Sequence, residues 1–230
     1  MMKPIGLLGG TAWPSTIDYY RQLNELAIGK FGQGHSAEIN LRSIDYYRLK
    51  QYYPDRWEDV ARELFTVLKE LDQTKPACIV ICNNALHKAF DIIPNRDELA
   101  SPVVHIVDSA VELLHHRQIK RPLFLATKFT MEDGFYTDRL RGEGFDVIVP
   151  NEEDRNLIHS IQTKLSKGAS PDEFTDSFSD ICMRYESSDG ILLACTELPM
   201  VFRTISIDRP ILDPSERQLE IAFQYSCGIR

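Results

Sequence analysis

The sequence predicts an α/β protein with parallel sheets and helices on both faces. Three observations carry this. Short, nearly all-apolar runs alternate with amphipathic stretches along the chain, the pattern of repeated βαβ units. Runs such as 76–82 and 121–126 lack apolar–polar alternation, as strands covered on both faces do. The runs also stop in small or polar residues, at Gly9-Gly10-Thr11, Asn83-Asn84, Thr127-Lys128 and Cys195-Thr196. In open α/β sheets the C-terminal strand ends are where ligands bind.

The elements follow in order. Residues 3–10 read as a buried strand ending in a glycine turn. Ser15 and Thr16 are candidate caps for the next helix, whose apolar face is Tyr19, Tyr20, Leu23 and Leu26. Residues 37–43 form a second strand. Asp55 opens a helix to Asp72, with Val60, Leu64, Val67, Leu68 and Leu71 at helical spacing. The strand 76–82 is broken by Asn83-Asn84, and a helix runs on through Asn95. A strand at 103–107 precedes a helix at 107–117. The strand 121–126 stops at Thr127-Lys128, and Thr130 is a candidate N-cap for a helix over 132–141. A strand at 145–149, helices at 152–167 and 171–187, a strand at 189–195, a short strand at 210–212 and a helix at 215–225 complete the chain.

At ~150 residues per domain, 230 residues make one large domain or two small ones. No linker rich in Gly, Ser or Pro divides them. The net charge of −8 opposes a nucleic-acid partner. No apolar run approaches the ~20 residues of a membrane span, so no membrane partner is expected. Residues 1–8 are too short for a secretory leader. Five cysteines, an odd number, are scattered without CxxC or zinc spacing. Reduced thiols, a cytoplasmic location and no metal are therefore expected.

Cys195 sits where a strand stops, where free backbone N–H groups favour a thiolate; the alternative is a core cysteine. Cys82-Asn83-Asn84-Ala85-Leu86-His87 occupies a matching place. Asn side chains there can donate to a carboxylate and accept from an ammonium, or merely cap the next helix. Lys128 can supply positive charge. Residues 9–13 lack GxGxxG and GxxxxGK[ST], so a nucleotide site has no support. Residues 77–84 echo 190–197: a buried strand delivers a cysteine and small polar residues to its end. Two such ends facing one another would build a cleft between two half-domains. Ends rich in Gly, Thr, Asn and Cys suit a small carboxylate-bearing substrate.

Several blocks together resemble the aspartate/glutamate racemase family. They are Gly9-Gly10-Thr11-Ala12-Trp13-Pro14-Ser15-Thr16 with Tyr19-Tyr20-Arg21 and Asn24, and Asn83-Asn84-Ala85-Leu86-His87. Thr127-Lys128-Phe129-Thr130-Met131-Glu132 with Phe135-Tyr136, and Cys195-Thr196-Glu197, complete the set in the family's order. The resemblance implies two flavodoxin-like lobes related by pseudo-two-fold symmetry, with the active site in the cleft between them. Here these are residues 1–104 plus 208–230, and 105–207. It implies no pyridoxal phosphate and no other cofactor, a homodimer, and two cysteines as paired acid and base on opposite faces of an amino acid. The α-carbanion needs fixed dipoles around its carboxylate, and inversion needs a donor on the face opposite the acceptor.

Under the resemblance Cys195 is the second acid/base, with Thr196 and Glu197 keeping its pattern. The family's first motif, Cys-Asn-Thr-x-His, fits less directly. Anchored on His87 without a gap, Asn83 takes the catalytic cysteine's place, Asn84 the Asn and Ala85 the Thr. One inserted residue leaves Cys82 there instead. One position on a strand turns a side chain to the other face, and the gapless alignment is preferred. Candidate substrate contacts are Gly10, Thr11, Asn84, Ala85, Thr127, Lys128, Thr130, Thr196, Glu197 and Arg48, the last with a surface role as its alternative. The expected activity is racemisation of aspartate or glutamate, possible for one enantiomer alone if Asn83 replaces the first cysteine. The alternatives are a dicarboxylate isomerase or decarboxylase of this fold, or a silent binder of amino acids or dicarboxylates.

Overall fold

The computed structural model describes residues 2–165 and 168–230. Met1 and the last two residues of the helix expected over 152–167 lie outside the described residues. The chain forms two compact units, Met1–Ser109 with Ser215–Arg230, and Ala110–Pro214.

The first unit contains β1 (Ile5–Gly9), α1 (Trp13–Phe31), β2 (Ile39–Ser43), α2 (Tyr47–Lys50), α3 (Trp57–Asp72), β3 (Ile79–Ile81) and α4 (Leu86–Asp91). The boundary between the units falls inside α5 (Ile106–His116). The second unit continues with β4 (Pro122–Ala126), α6 (Lys128–Asp133), α7 (Thr137–Gly142), α8 (Glu152–Leu165), α9 (Thr175–Arg184), β5 (Gly190–Ala194), α10 (Leu198–Phe202) and β6 (Ile211–Leu212). The last helix, α11 (Pro214–Ser226), returns to the first unit. Each unit holds a three-stranded parallel sheet, β2-β1-β3 in the first and β4-β5-β6 in the second. Among the described residues no helix is long and apolar enough to cross a membrane.

β1 and β3 are buried on both faces of the first sheet, and side-chain parity assigns each of their residues to one face. Leu8, Ile79 and Ile81 join a cluster with Val60, Leu64 and Leu68 of α3 and Leu86 and Ala89 of α4. Ile5, Leu7, Cys78, Val80 and Cys82 pack on the other face with Tyr19 and Leu23 of α1 and Leu219 and Ala222 of α11. The apolar stripe expected on α3 is buried throughout.

Several expectations need correction. Ser15 and Thr16 do not cap α1. The helix starts earlier, at Trp13, and its N-cap Ala12 makes no side-chain bond. Thr16 instead accepts the Gly10 N–H at Oγ1, 3.0 Å away, and ties the preceding turn to the helix. Tyr20 is 48% exposed, beside Trp13 and Ile17 at 68% and 58%, so the apolar face of α1 is wider than its buried stripe. The strands expected at 103–107 and 145–149 reduce to single parallel bridges, Ile79 with Val103 and Leu123 with Ile148. The chain enters α5 at Ile106, just past the first bridge, which leaves no length for a ladder. The helix expected over 132–141 is split into α6 and α7 by Gly134, whose φ of 92° ends α6 in the left-handed region. Thr127, not Thr130, is the N-cap of α6. The helix expected over 171–187 opens as a 3₁₀ turn at Pro171–Phe174 and ends at Arg184.

The turn after β1 requires two glycines. A Cβ on Gly9 would stand 2.3 Å from Thr16 Cγ2. One on Gly10, at φ 92°, would stand 2.1 Å from the Ile44 carbonyl oxygen. Gly10→Ala is therefore expected to lower unfolding stability by about 2–4 kcal/mol. Gly29→Ala, on an exposed helical position with nothing within 4 Å of the new Cβ, is expected to raise it by about 0.5–1 kcal/mol. Urea unfolding of both variants checks this, and equal effects at the two positions would contradict it.

Candidate active site

In the first unit β1 and β3 run side by side, and the Cys82 N–H donates to the Leu8 carbonyl at 2.9 Å. Their C-terminal ends therefore lie together. At the end of β1, Thr11 is 7% exposed. Its Oγ1 finds no hydrogen-bond partner among the described residues, and neither does the buried Asn84 Oδ1 after β3. A buried polar atom left unpaired costs ~1–3 kcal/mol, so both positions favour a polar ligand. The Gly10 N–H is already given to Thr16, which leaves Gly10 a turn-shaping role.

Asn83 spends its carboxamide oxygen on the Leu86 N–H, 2.9 Å away at the start of α4, and keeps its NH₂ as a donor. Ala85, half-buried at the N-cap of α4, brings no side-chain polar group. Cys82 shares the α1 and α11 face with Cys78 and Val80, as parity dictates. Burial pushes its thiol well above the ordinary range. His87 is fully buried, with its ring 4.4 Å from that of His105 and its Nε2 3.4 Å from Gln218 Nε2.

In the second unit Ala126 and Ala194 are paired, so Thr127 and Cys195 leave neighbouring strands side by side. Cys195 is 3% exposed. Its Sγ donates to Glu197 Oε2 at 2.9 Å and accepts from Gln162 Nε2 at 2.9 Å. Thr196 Oγ1 donates to the same Glu197 oxygen at 3.1 Å. Burial raises this thiol's pKa well above the ordinary value, and the Glu197 carboxylate adds to the rise. The Glu197 N–H and the Gln162 side chain oppose it without prevailing. This direction runs against the thiolate expected from strand-end amides: burial and the Glu197 carboxylate favour the protonated thiol. Its neighbours equip it to give a proton to a bound molecule, or to lose one to Glu197 and become a base.

The Thr127 and Thr130 hydroxyls bond to each other at 2.8 Å, and Thr127 Oγ1 also accepts the Thr130 N–H. Both hydroxyls thus close the first turn of α6. Lys128 Nζ donates to Asn156 Oδ1 of α8 at 2.7 Å. Arg48 is exposed and paired with Glu63 of α3 at 3.2 Å, as the surface alternative requires. Within each unit, then, the structure gathers Thr11 with Asn83 and Asn84, and Cys195 with Thr196, Glu197 and the Thr127 strand end. It does not add Cys82 or Arg48 to either group. No group of three or more His, Cys, Asp or Glu able to hold a metal ion occurs among the described residues.

Gln162 was not legible as a site residue. The signal was present: Ile158, Ile161 and Gln162 share the buried stripe of α8. A glutamine on an apolar helix face must find a partner, but nothing local names a sulfur 33 residues away in sequence.

The sequence model of the Asp/Glu/hydantoin racemase family matches residues 8–221. A crystal structure assigned as an Asp/Glu racemase from Yersinia pestis is 30% identical, with a TM-score of 0.89, over 98% of this chain and 100% of that one. An aspartate racemase homologue from Pyrococcus horikoshii is 28% identical, with a TM-score of 0.84, over the same shares of the two chains. Glutamate racemase from Campylobacter jejuni is 28% identical over 138 residues, 56% of this chain and 50% of that protein. The match thus spans about half the length of that curated relative. The chain belongs to the Asp/Glu/hydantoin racemase family.

Proposed function

We propose that this member of the Asp/Glu/hydantoin racemase family moves the α-proton of aspartate or glutamate with the Cys195 thiol, without pyridoxal phosphate. The observation that carries the proposal is the setting of Cys195: a buried strand-end thiol bonded to a carboxylate and a carboxamide. Such a thiol has its proton and a place to send it. The unpaired Thr11 Oγ1 and Asn84 Oδ1 support binding of a polar substrate at the other strand ends. The racemase relatives weigh against diacid decarboxylation and against binding alone.

In this proposal Asn83 stands in the first acid/base position. Burial of Cys82 in the α1 and α11 cluster supports that assignment. A neutral carboxamide cannot take a proton at ordinary pH, so one enantiomer alone is expected to lose its α-proton. Aspartate and glutamate differ by one methylene, worth ~1–3 kcal/mol of discrimination in a pocket, so both are candidates. The reduced thiols of a cytoplasmic enzyme suit a mechanism that depends on Cys195. A homodimer is part of the proposal. It is supported by Trp13, Ile17 and Tyr20, exposed on one face of α1 at i, i+4 and i+7.

Proton NMR in D₂O, with each hand of aspartate and glutamate offered separately, tests the activity. Loss of the α-proton signal from one hand is expected, abolished by Cys195→Ala. No loss from any of the four would exclude the assignment. Sedimentation equilibrium tests the dimer: a mass of twice 26.4 kDa is expected, and the single-chain mass would contradict it.

A further inference from the structure

The Cys195 sulfur lies between one donor and one acceptor, both 2.9 Å away. A thiol has one proton and two lone pairs. The acceptor is the Glu197 carboxylate, so the S–H points there. The Gln162 carboxamide N–H donates to a sulfur lone pair. Gln162 is 8% exposed, which leaves water little chance to replace it. Its helix is also held in place. Asp154, near the start of α8, is buried and paired with Arg184 of α9 at 2.5 Å, and it accepts from the Tyr185 hydroxyl at 2.8 Å. The Asn151 side chain caps the same turn through the Asp154 N–H at 2.9 Å.

We infer that Gln162 is a positioning residue for this thiol: its N–H aims the S–H at Glu197 Oε2 and holds the sulfur once that proton has left. The inference rests on the proposal that Cys195 serves as the base. The step is a proton transfer. The S–H bond breaks and an O–H bond forms on Glu197. The sulfur becomes a thiolate that accepts the Gln162 N–H. The thiolate then takes the substrate α-proton, and the C–H electron pair stays on carbon. Sulfur and Glu197 each hold one proton at that point, and both exchange with solvent. The sulfur then returns a solvent-derived proton to the carbon, and the Glu197 proton goes back to the thiolate to close the cycle. Glu197, on the thiol's own strand end, is the carboxylate at hydrogen-bond distance from the sulfur, and Gln162 meets it from α8 as a neutral group.

Gln162→Met keeps side-chain length and removes the donor. The rate of solvent exchange into substrate is expected to fall roughly tenfold to a hundredfold, the range for a hydrogen bond to a charged group, with KM unchanged. Iodoacetamide labelling of Cys195 against pH, read by peptide mass, needs no substrate. At a fixed pH below the thiol's pKa the Met variant is expected to label about tenfold more slowly, its profile displaced to higher pH. Gln162→Glu, which sets a second carboxylate against the sulfur, is expected to label more slowly still, and it serves if the Met variant does not fold. Labelling of either variant as fast as the wild type would overturn the inference. Shifted labelling together with no amino-acid exchange in any protein would retain the inference and remove the racemase proposal.

Discussion

Parallel pairing of buried strands is the constraint on which the site depends. Leu8 pairs beside Ile81, and Ala126 beside Ala194. Each pairing brings two strand ends together, one unit gathering Thr11 with Asn83 and Asn84, the other Thr127 with Cys195. Parallel strands cannot be joined by tight hairpins, so helices must cross between them and cover both faces. That cover makes side-chain parity decisive. Cys82 is sent to the α1 and α11 cluster along with Cys78 and Val80, while Asn83 begins the turn beyond the strand. A single residue of register thus separates a sealed thiol from a strand-end carboxamide.

The second unit treats its strand-end thiol differently. Cys195 is as buried as a core residue, yet it is surrounded by polar groups. For Cys82 burial is the cause that raises the thiol's pKa. For Cys195, burial and Glu197 together hold the proton on sulfur, while Glu197 also offers the place for it to go. Thr196 adds a second hydrogen bond to that carboxylate oxygen. The proposed removal of a very weakly acidic α-proton calls for a strong base with an acceptor nearby for its own proton. A thiolate favoured at rest, by contrast, would be a weaker base.

Much of this was legible in the residues. The apolar runs ending at Gly10, Cys82, Ala126 and Cys195 announced buried parallel strands. The stripe Val60, Leu64, Val67, Leu68 and Leu71 announced α3. Val103 and Ile148 were misread because an apolar run shows willingness to pair, whereas a ladder also needs length before the next helix. Gly134 lies inside a helical pattern of residues, yet its positive φ ends α6. Thr16 resembled a cap because a cap and a turn tie use the same hydroxyl. In the site, strand ends and their residue types could be read directly. The raised pKa of Cys195 could not, because it arises chiefly from burial, which tertiary packing alone delivers, with Glu197 adding to it. The choice between Cys82 and Asn83 is open in the sequence because the gapless alignment gives up the motif's Cys while the other needs an inserted residue, and the two differ by one position of parity.

In the proposed mechanism the Asn83 position lacks a base, and Cys195 supplies the working one of the pair. Installing a thiol there tests it most directly. In Asn83→Cys, α-proton exchange in D₂O should appear for the enantiomer that is silent in the wild type, and it should persist when Cys195 is replaced by Ala. If that enantiomer stays silent in the folded variant, Asn83 does not occupy the first acid/base position and the one-sided mechanism is wrong.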